Sequence, residues 1–388
     1  MRFGVAMISQ TFYPFVGGAQ THTLRLSQKL RALGVDARVI TRYYPGLARY
    51  EEVGGVPTFR AGRGGRSKAI GMPFFVVEAL RLICARRAAF DVLHSHMMFS
   101  AMVVGLLARP LTRKPMVINP HGRGPLGDIG VLTNRPALTG QLPLAAARRW
   151  GSAFVCISQE VREELIGVGI DEGRLWDIVN GVDTDHFSPA SKATRATLRR
   201  SLNLPFGPLV VFAGRLAPIK GLDVLLATWP QVSRSVPQSH LLILGEGEER
   251  ANLETQAQRL DIADRVTFVG GCHDVAPYLR AADVFALPSH SEASPVALLE
   301  AMASGLPSVA TATPGAKQAL EDGATGRLVS IADPSALASA LIEALTTPEA
   351  QQWGAQARQH IIEHHSLDVI AKRYITMYET LLHSGNSL

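Results

Sequence analysis

The sequence is poor in the residues on which disulfide-rich and zinc-stapled proteins depend. Its 388 residues include three cysteines, Cys84, Cys156 and Cys272, and their wide separation offers neither a disulfide framework nor a zinc knuckle. We therefore expect a reducing compartment, the cytoplasm, and no metal site. Aromatic residues make up only 6% of the chain and no nucleic-acid reader motif accompanies them, so we expect no nucleic-acid partner.

Long hydrophobic runs are also missing. The most apolar stretches, residues 69–83 and 97–108, are interrupted by charged residues or are too short to cross about 30 Å of hydrocarbon. The first eight residues are typical of a buried strand and lack the features of an export leader. The formal net charge of +6 favours anionic partners such as nucleotide phosphates or acidic lipid head groups.

What the chain does contain is a regular alternation of short aliphatic strands and amphipathic helices, which indicates an α/β protein with parallel sheets. The predicted strands are residues 3–9, 38–41, 92–94, 116–119, 153–157, 209–213, 241–244, 266–269, 284–287 and 307–310. The chain is too long for one core, and the polar, proline-punctuated segment 185–204 marks a junction in which we expect Arg199 and Arg200 to be exposed. The last amphipathic stretch, 368–382, is predicted to be a helix.

Three segments that follow predicted strands carry residues suited to an anionic ligand, and ligands of open α/β sheets bind at the carboxyl ends of strands. Gly17 and Gly18 precede a helix, whose first backbone N–H groups favour phosphate. Arg215 and Lys220 follow the strand at 209–213, where two fixed cations can neutralise a pyrophosphate leaving group without a metal. An ordinary turn and a solvated basic loop are the alternative interpretations of these two segments.

The third segment combines two carboxylates with a helix start. Glu292 precedes a helix predicted to begin near Pro295, and Glu300 lies about two turns into it. Carboxylates accept hydrogen bonds from sugar hydroxyls, while free N–H groups near Ser294 and Val296 can hold phosphate oxygens. Glu292 alone could serve the helix dipole, but a buried Glu300 requires a partner.

The spacing of Glu292 and Glu300 resembles the E-x7-E motif of the retaining glycosyltransferases of family four, which have the GT-B fold. The resemblance spans nearly the whole chain. The further segments that carry it, in the order typical of that family, are Gly17-Gly18, His121-Gly122, Val155–Ser158, Asn180–Asp183, Gly214–Gly221, Gly245–Gly247 and Ala301–Pro307.

The resemblance implies two Rossmann-like domains with parallel sheets facing a central cleft. The first, residues 1–186, would bind the acceptor, and a C-terminal helix within 366–388 would pack back on it. The second, residues 187–365, would bind a nucleotide-diphosphate sugar as co-substrate, with no other cofactor. UDP is favoured over GDP on family frequency alone.

The resemblance also implies roles for individual residues. Arg215, Lys220, Glu292 and His121 would be the catalytic set, with the two cations on the donor diphosphate and His121 beside the transferred sugar. The residues expected to contact the donor are Gly17, Gly18, Arg215, Lys220, Ala293, Ser294, Pro295, Val296, Glu300, Gly270 and Gly271. Ala293-Ser294-Pro295 departs from the family's usual glycine and large apolar residue, so the sugar is not specified, and we assign no catalytic role to residues 313–318.

The predicted function is transfer of a sugar, with retained configuration, to a hydroxyl of a glycan, lipid or small molecule, as in cell-envelope or glycan biosynthesis. A sugar-nucleotide epimerase, a phosphorylase of the same architecture and a catalytically silent sugar-nucleotide-binding subunit are the alternatives.

Two further patterns have simpler interpretations. Asp183-Thr184-Asp185 matches the D-x-D pattern of metal-dependent sugar transferases, but its position after Asn180-Gly181 favours a turn. His94-Ser95-His96 favours a polar cluster at a strand end over a metal site.

A basic and aromatic set in the first domain favours a solvated face, with peripheral contact at the inner face of the membrane as the alternative. Its members are Arg60, Arg63, Arg66, Lys68, Phe74, Phe75, Arg81, Arg86 and Arg87.

Overall fold

The computed structural model describes residues 3–15, 17–64, 68–125 and 127–385. The chain divides into two units, and each is described by itself. Unit 1 comprises Met1–Asn180 and Leu367–Leu388, and unit 2 comprises Gly181–Ser366. The division therefore falls a few residues before the predicted boundary at 186, because Val182 already pairs with Ser366 of unit 2.

Unit 1 is a sheet covered by helices. Its strands are β1 Gly4–Ser9, β2 Asp36–Arg42, β3 Tyr50–Val53, β4 Val56–Ala61, β5 Val92–His96, β6 Met116–Asn119, β7 Ala153–Cys156 and β8 Leu175–Asp177. Its first helices are α1 Gly18–Ala32, α2 Lys68–Ala85, α3 Ser100–Thr112, α4 Asp128–Thr133, α5 Gln141–Trp150 and α6 Gln159–Gly167. In the described residues the strands lie in the order β3-β4-β2-β1-β5-β6-β7-β8.

Unit 2 repeats this plan with a wholly parallel sheet. Its strands are β9 Leu209–Ala213, β10 His240–Leu244, β11 Val266–Gly270, β12 Val284–Leu287, β13 Ser308–Thr311 and β14 Arg327–Val329, in the order β11-β10-β9-β12-β13-β14. Its helices are α7 Lys192–Ser201, α8 Leu222–Ser235, α9 Arg250–Arg259, α10 Ala276–Ala281, α11 Val296–Ala303, α12 Pro314–Ala319, α13 Pro334–Thr346 and α14 Glu349–His364.

The last helix, α15 Leu367–Gly385, belongs to unit 1. Ile370, Tyr374, Met377 and Tyr378 are fully buried in the core of that unit. Lys29 of α1 pairs with Asp368 of α15 at 2.6 Å. Within the described residues, no helix combines the length and the apolar character that crossing a bilayer requires.

The central strands of both sheets are buried along their length because helices cover both sheet faces. Every residue of β1 and of β9 is buried, and such strands appear in a sequence as continuous aliphatic runs. This is why each predicted strand has a counterpart in the structure.

The hairpin β3–β4 is the exception to the predicted parallel sheets. It is antiparallel and closes through Gly54 and Gly55, whose φ values are +55° and +77°. Two consecutive residues with positive φ form the turn that a two-residue hairpin requires. The hairpin was not predicted, because β3 is polar and exposed at the sheet edge.

Both sheets have a topological switch point, at which successive connections run to opposite sides. It lies between β1 and β5 in unit 1 and between β9 and β12 in unit 2. The carboxyl ends of such a strand pair form the usual ligand crevice of open α/β sheets. The fold thus brings Gly17 to the switch point of unit 1, and Arg215, Lys220 and Glu292 to that of unit 2.

Arg199 is buried, so its predicted exposure is wrong. It is 7% exposed, and its guanidinium binds Asp283 at 2.6 Å and donates to the carbonyl of Ala281 at 2.8 Å. Two further carbonyls, in the loop before β9, accept from it at 2.9 Å. Asp283 also accepts from the backbone N–H of Leu209, so this network fastens α7 to the sheet. Arg200 is exposed, as predicted.

Substitution of Arg199 tests this network. Arg199→Met should lower the free energy of unfolding by about 2–4 kcal/mol, because Asp283 would keep only Arg195 as a charged partner among the described residues and three carbonyls would lose a charged donor. Arg200→Met, on the same helix, should change it by less than about 0.5 kcal/mol. Urea unfolding of both full-length variants measures the difference, and similar losses in the two would contradict the assignment.

Candidate active site

The loops at the carboxyl ends of the unit 2 strands hold most of the predicted site residues. They follow β9, β10, β11, β12 and β13. The loop after β9 carries Arg215 and Lys220, and the loop after β12 carries Glu292. The contacts between these loops show which of the side chains lie close enough to bind one ligand.

Lys220 and Glu292 form the best-defined contact of this group. Lys220 Nζ lies 2.6 Å from Glu292 Oε1, and the same oxygen accepts a hydrogen bond from Ser289 Oγ at 2.7 Å. The Glu292 side chain is 10% exposed and that of Lys220 25% exposed. The ammonium therefore neutralises a nearly buried carboxylate, and the sequence did not predict that the two side chains would bind each other.

Backbone contacts hold the same two loops together. The N–H of His290 donates to the carbonyl of Ile219 at 2.8 Å. Gly221 has a φ of +62°, and a Cβ there would lie 2.2 Å from the carbonyl oxygen of Pro288. Only glycine allows this approach, so the spacing between Lys220 and Glu292 is fixed by the main chain.

Arg215 is placed differently from Lys220. Its side chain is 71% exposed and pairs with Glu248, in the loop after β10, at 2.9 Å. The pKa of Glu248 lies below its usual value, chiefly because its own backbone N–H donates to the carboxylate, with Arg215 adding to the effect. An ion pair this exposed contributes little to stability, so Arg215 can exchange Glu248 for another anion at small cost.

Helix α11 begins directly after the Glu292 loop. Pro295 is its N-cap residue and supplies no side-chain cap. The carbonyl of Pro295 accepts from Leu298 and Leu299, which leaves the first N–H groups, at Val296 and the next residue, outside the helical ladder. Glu300 lies about one turn into α11, not the two turns predicted, and is 9% exposed.

Gly315 supports the Glu292 loop from the neighbouring strand. It follows β13, and its N–H donates to the carbonyl of Glu292 at 3.0 Å. A Cβ at this position would lie 2.7 Å from backbone atoms of Glu292 and Ala293. We assigned no role to this segment from the sequence. The available signal was a glycine shortly after a buried strand.

Gly270 and Gly271 lie at the end of β11, beside the loop after β10. Gly270 has a φ of +89°, and its carbonyl accepts from the N–H of Gly245 at 2.8 Å. A Cβ at Gly245 would lie 1.9 Å from the carbonyl oxygen of Gly214. The loops after three adjacent strands are therefore in direct backbone contact.

In unit 1, the predicted glycines lie at the start of α1. Gly17 is its N-cap, in an extended conformation. A Cβ at Gly17 would meet the flexible side chain of Gln20, whereas a Cβ at Gly18 would meet no atom within 4 Å. Contacts with the described residues do not explain the glycine at 18, which leaves open space above the helix start.

His121 lies two residues after β6, at the same sheet edge. Its backbone N–H donates to Asp128 at 2.6 Å. Burial raises the pKa of Asp128 to about 6, although backbone N–H groups of this loop oppose that shift. Burial also lowers the pKa of His121 well below its ordinary value, and nearby histidines add to the effect.

Three further histidines surround His121. Two of them, His94 and His96, form the predicted polar cluster on β5, and the third, His22 on α1, was not predicted. His96 Nδ1 lies 3.1 Å from His121 Nε2, and the His22 ring lies edge-on to the His121 ring at 5.5 Å. Among the described residues no group of His, Cys, Asp or Glu is arranged to hold a metal ion.

The D-x-D segment is a turn, as predicted. Asp183 Oδ1 accepts hydrogen bonds from the backbone N–H groups of Asp185 at 3.1 Å and His186 at 3.0 Å. This carboxylate therefore serves the local main chain.

Comparison with known proteins identifies the family. Residues 16–186 match the model described as Glycosyltransferase Family 4, and residues 207–347 match the model described as Glycosyl transferases group 1. A D-inositol 3-phosphate glycosyltransferase from Frankia alni is 32% identical over 86% of this chain and 86% of that protein. The chain belongs to glycosyltransferase family four. A phosphatidyl-myo-inositol mannosyltransferase from Mycobacterium leprae is 29% identical over 100% of this chain and 99% of the relative.

Solved structures show the fold. An Anabaena protein, HepE, in complex with UDP and glucose, has a TM-score of 0.79 at 21% identity, covering 98% of this chain and 100% of that one. A sucrose-phosphate synthase from Thermosynechococcus elongatus has a TM-score of 0.80 at 24% identity, with 99% and 100% covered. The predicted family, the GT-B fold and the enzyme class are thereby confirmed.

The basic and aromatic face predicted for this glycosyltransferase is smaller than expected. Arg60 is 3% exposed, pairs with Glu51 and donates to the carbonyl of Tyr13 at 2.8 Å. Phe75 is fully buried. Arg66, and the side chain of Lys68, lie outside the described residues. The members that remain exposed are Arg63, Phe74, Arg81, Arg86 and Arg87.

The stability of unit 1 should depend on pH through His22. Burial lowers its pKa from 6.5 to about 4, so the unfolded chain binds more protons than the folded one between these values. The free energy of unfolding therefore falls as the pH is lowered through this window. At pH 5 the loss due to His22 is about 2 kcal/mol. Asp128, with its raised pKa, acts in the opposite direction between pH 6 and 4.

Comparison of the wild type with His22→Gln isolates this effect, because the contributions of Asp128 and of the other buried histidines are common to both. The variant should lose about 2 kcal/mol less stability between pH 7 and pH 5. Calorimetric unfolding of the full-length proteins at the two pH values measures it. An unchanged pH dependence would show that His22 is not held neutral.

Gly315→Ala should impair turnover without unfolding unit 2. The added methyl group displaces the backbone that carries Glu292, and a shift of about 1 Å in a positioned group can cost up to about 100-fold in rate. Gly167→Ala is the matched control, because its Cβ would meet no atom within 4 Å. Glycosyl transfer by the two variants is compared, and equal rates would contradict the supporting role of Gly315.

Proposed function

We propose that this glycosyltransferase moves a hexosyl group from a nucleotide-diphosphate sugar to a hydroxyl group, with retained anomeric configuration. The observation that carries the proposal is the Lys220–Glu292 pair at the switch point of unit 2, next to the uncapped start of α11. An ammonium, a carboxylate and free N–H groups at one strand end match the parts of a sugar diphosphate.

The diphosphate needs stabilisation as it leaves, since its negative charge grows while the sugar becomes oxocarbenium-like. Lys220 and the N–H groups of Val296 and its neighbour are fixed donors that need no reorganisation at that moment. Arg215 would exchange its exposed carboxylate partner for the diphosphate. No metal is required by this arrangement, and no cofactor besides the donor itself.

Glu292 is proposed to bind the sugar and not to attack it. Its Oε1 already accepts from Lys220 and Ser289, which lowers its nucleophilicity and leaves Oε2 to accept from a sugar hydroxyl. The acceptor hydroxyl would then attack on the face from which the diphosphate leaves, and a leaving phosphate oxygen would take its proton. Glu300 is proposed to bind the ribose hydroxyls.

The remaining site residues keep their predicted roles as proposals. Ala293, Ser294 and Pro295 would contact the sugar and phosphates through their backbone, and Gly270 and Gly271 would flank the base. Gly17 and Gly18 would contact the phosphates, and His121 the sugar.

The names of relatives guide the choice of substrates. One relative, from Mycolicibacterium smegmatis, is described as a GDP-mannose-dependent mannosyltransferase, and HepE is described in complex with UDP-glucose. Several relatives are described as acting on D-inositol 3-phosphate. We therefore propose a UDP- or GDP-hexose as donor and an inositol phosphate, free or in a lipid, as the first acceptor to test.

We also propose that the chain acts in the cytoplasm, where nucleotide sugars are available. The exposed Phe74 and Val77, at 41% and 48%, line one surface pocket with Arg63 and Arg81, and the Arg63 guanidinium lies 5.0 Å from the centre of the Phe74 ring. Apolar side chains beside basic ones are typical of surfaces that contact anionic membranes.

The test supplies UDP-glucose, UDP-galactose, GDP-mannose and ADP-glucose to the full-length enzyme, with and without inositol phosphate, in excess chelator. We expect nucleoside diphosphate release that depends on the acceptor, and a product with retained configuration by NMR. An epimerised sugar nucleotide or a sugar 1-phosphate would point to the alternative enzymes, and binding without turnover to a silent subunit.

Variants of the two cations test their roles. Lys220→Ala and Arg215→Ala should each lower kcat by about 100- to 1,000-fold, the usual cost of a lost transition-state donor. Lys192→Ala and Arg259→Ala, at exposed positions of unit 2, are the matched controls and should leave it unchanged. Because Lys220→Ala leaves Glu292 without its ion-pair partner, urea unfolding of this variant and of the double variant with Glu292→Gln shows whether lost folding contributes to the lost turnover. Normal turnover in both single variants would refute the assignment.

A further inference from the structure

A column of histidine rings runs through unit 1 from the core to the sheet edge. We use the name histidine column for His22, His94, His96 and His121. The rings of His94 and His96 stack with centroids 4.3 Å apart, and those of His96 and His121 with centroids 5.3 Å apart. His94, His96 and His22 are nearly or fully buried, and His121 is half-buried.

The inner end of the column is fastened by the last helix. His94 Nδ1 lies 2.7 Å from the hydroxyl of Tyr378, and Asn119 Nδ2 donates to the hydroxyl of Tyr374 at 3.0 Å. Both tyrosines belong to α15 and are fully buried. The stacked rings therefore cannot move without breaking contacts in the core.

All four imidazoles are neutral at neutral pH. Burial lowers the pKa of His22 to about 4 and that of His94 to about 3, and it lowers those of His96 and His121 as well. A neutral imidazole has one N–H donor and one lone pair. In the hydrogen bond between His96 Nδ1 and His121 Nε2, the donor is therefore either His96 or His121.

The surroundings of His96 favour the arrangement in which His96 is the donor. Its Nε2 is buried and has no hydrogen-bond partner among the described residues. A buried N–H without an acceptor is rarer in proteins than an acceptor that is left unsatisfied. The proton of His96 therefore lies on Nδ1, from which it donates to His121 Nε2.

This fixes the state of His121. Because its Nε2 accepts the hydrogen bond, its own proton lies on Nδ1. Nδ1 is the nitrogen left for a ligand, since Nε2 is the ring nitrogen that bonds His96. His121 thus offers a neutral N–H donor, held in one orientation by the stack and by the bond to His96.

We propose that His96 is a positioning residue for His121: it sets the tautomer and the ring orientation with which His121 donates from Nδ1–H to an oxygen of the transferred sugar. The proposal rests on the proposed function for its last step only. The tautomer itself is a property of unit 1 and can be measured without turnover.

The first test is spectroscopic. Two-bond proton–nitrogen correlation spectra of the full-length protein labelled with ¹⁵N-histidine assign the protonated nitrogen of each ring, and His121→Gln identifies the signals of His121. We expect the Nδ1–H form for His121 in the wild type. The Nε2–H form would overturn the proposal, even in an enzyme that transfers sugar.

The second test compares two replacements of His96. The amide nitrogen of asparagine can occupy the place of Nδ1 and donate to His121, whereas the longer glutamine carries its amide near the place of Nε2. His96→Gln should lower kcat by about 10- to 100-fold, the usual cost of losing a group that orients an active-site residue, with the donor KM changed by less than about threefold. His96→Asn should recover most of that loss.

A role in packing alone predicts the opposite order, because glutamine is closer to histidine in volume. Activity of His96→Gln equal to or above that of His96→Asn would overturn the proposal. If no donor supports turnover in the wild type, the proposed function fails, and the spectra still decide the tautomer of His121.

Discussion

The need to neutralise a nearly buried carboxylate organises the candidate site of unit 2. Glu292 lies in the loop after β12, the strand that borders the switch point, and only 10% of its side chain is exposed. Lys220 provides the opposite charge, and Gly221 and Gly315 allow the main chain to hold the pair from two sides. An isolated charge here would be expensive, so the ion pair stabilises the two loops that form the candidate site.

At the switch point of unit 1, the buried histidine side chains are neutral and need no partner of opposite charge. The switch point is lined by imidazoles whose pKa values burial lowers, and the last helix supplies the hydroxyl of Tyr378 to the inner ring, His94. Ring stacking and hydrogen bonds, not ion pairs, hold these rings in position. The last helix therefore does more than fill the core. Through Tyr378 it fixes His94, the inner ring of the stack that leads to His121.

The sequence predicted the sheets well and the contacts between loops poorly. Fully buried strands leave continuous aliphatic runs, so β1, β9 and β12 were predicted, whereas the exposed hairpin strand β3 left no such signal. The Lys220–Glu292 contact joins residues 72 positions apart, and only the strand order brings them together. For the same reason Arg199 was expected in solvent, although helix α10 and the loops before β9 and β12 supply it with a carboxylate and three carbonyls.

The charged groups of unit 2 and the neutral imidazoles of unit 1 suit different parts of the proposed reaction. A departing diphosphate gains negative charge, and cations and helix N–H groups stabilise it. The sugar it leaves gains positive charge, so an imidazolium next to the sugar would oppose the reaction by direct repulsion. A neutral imidazole that donates one hydrogen bond orients the sugar without that penalty. In the proposed reaction, burial of the histidine column would remove a charge that opposes the departure of the diphosphate, and it would preserve a hydrogen-bond donor for the sugar.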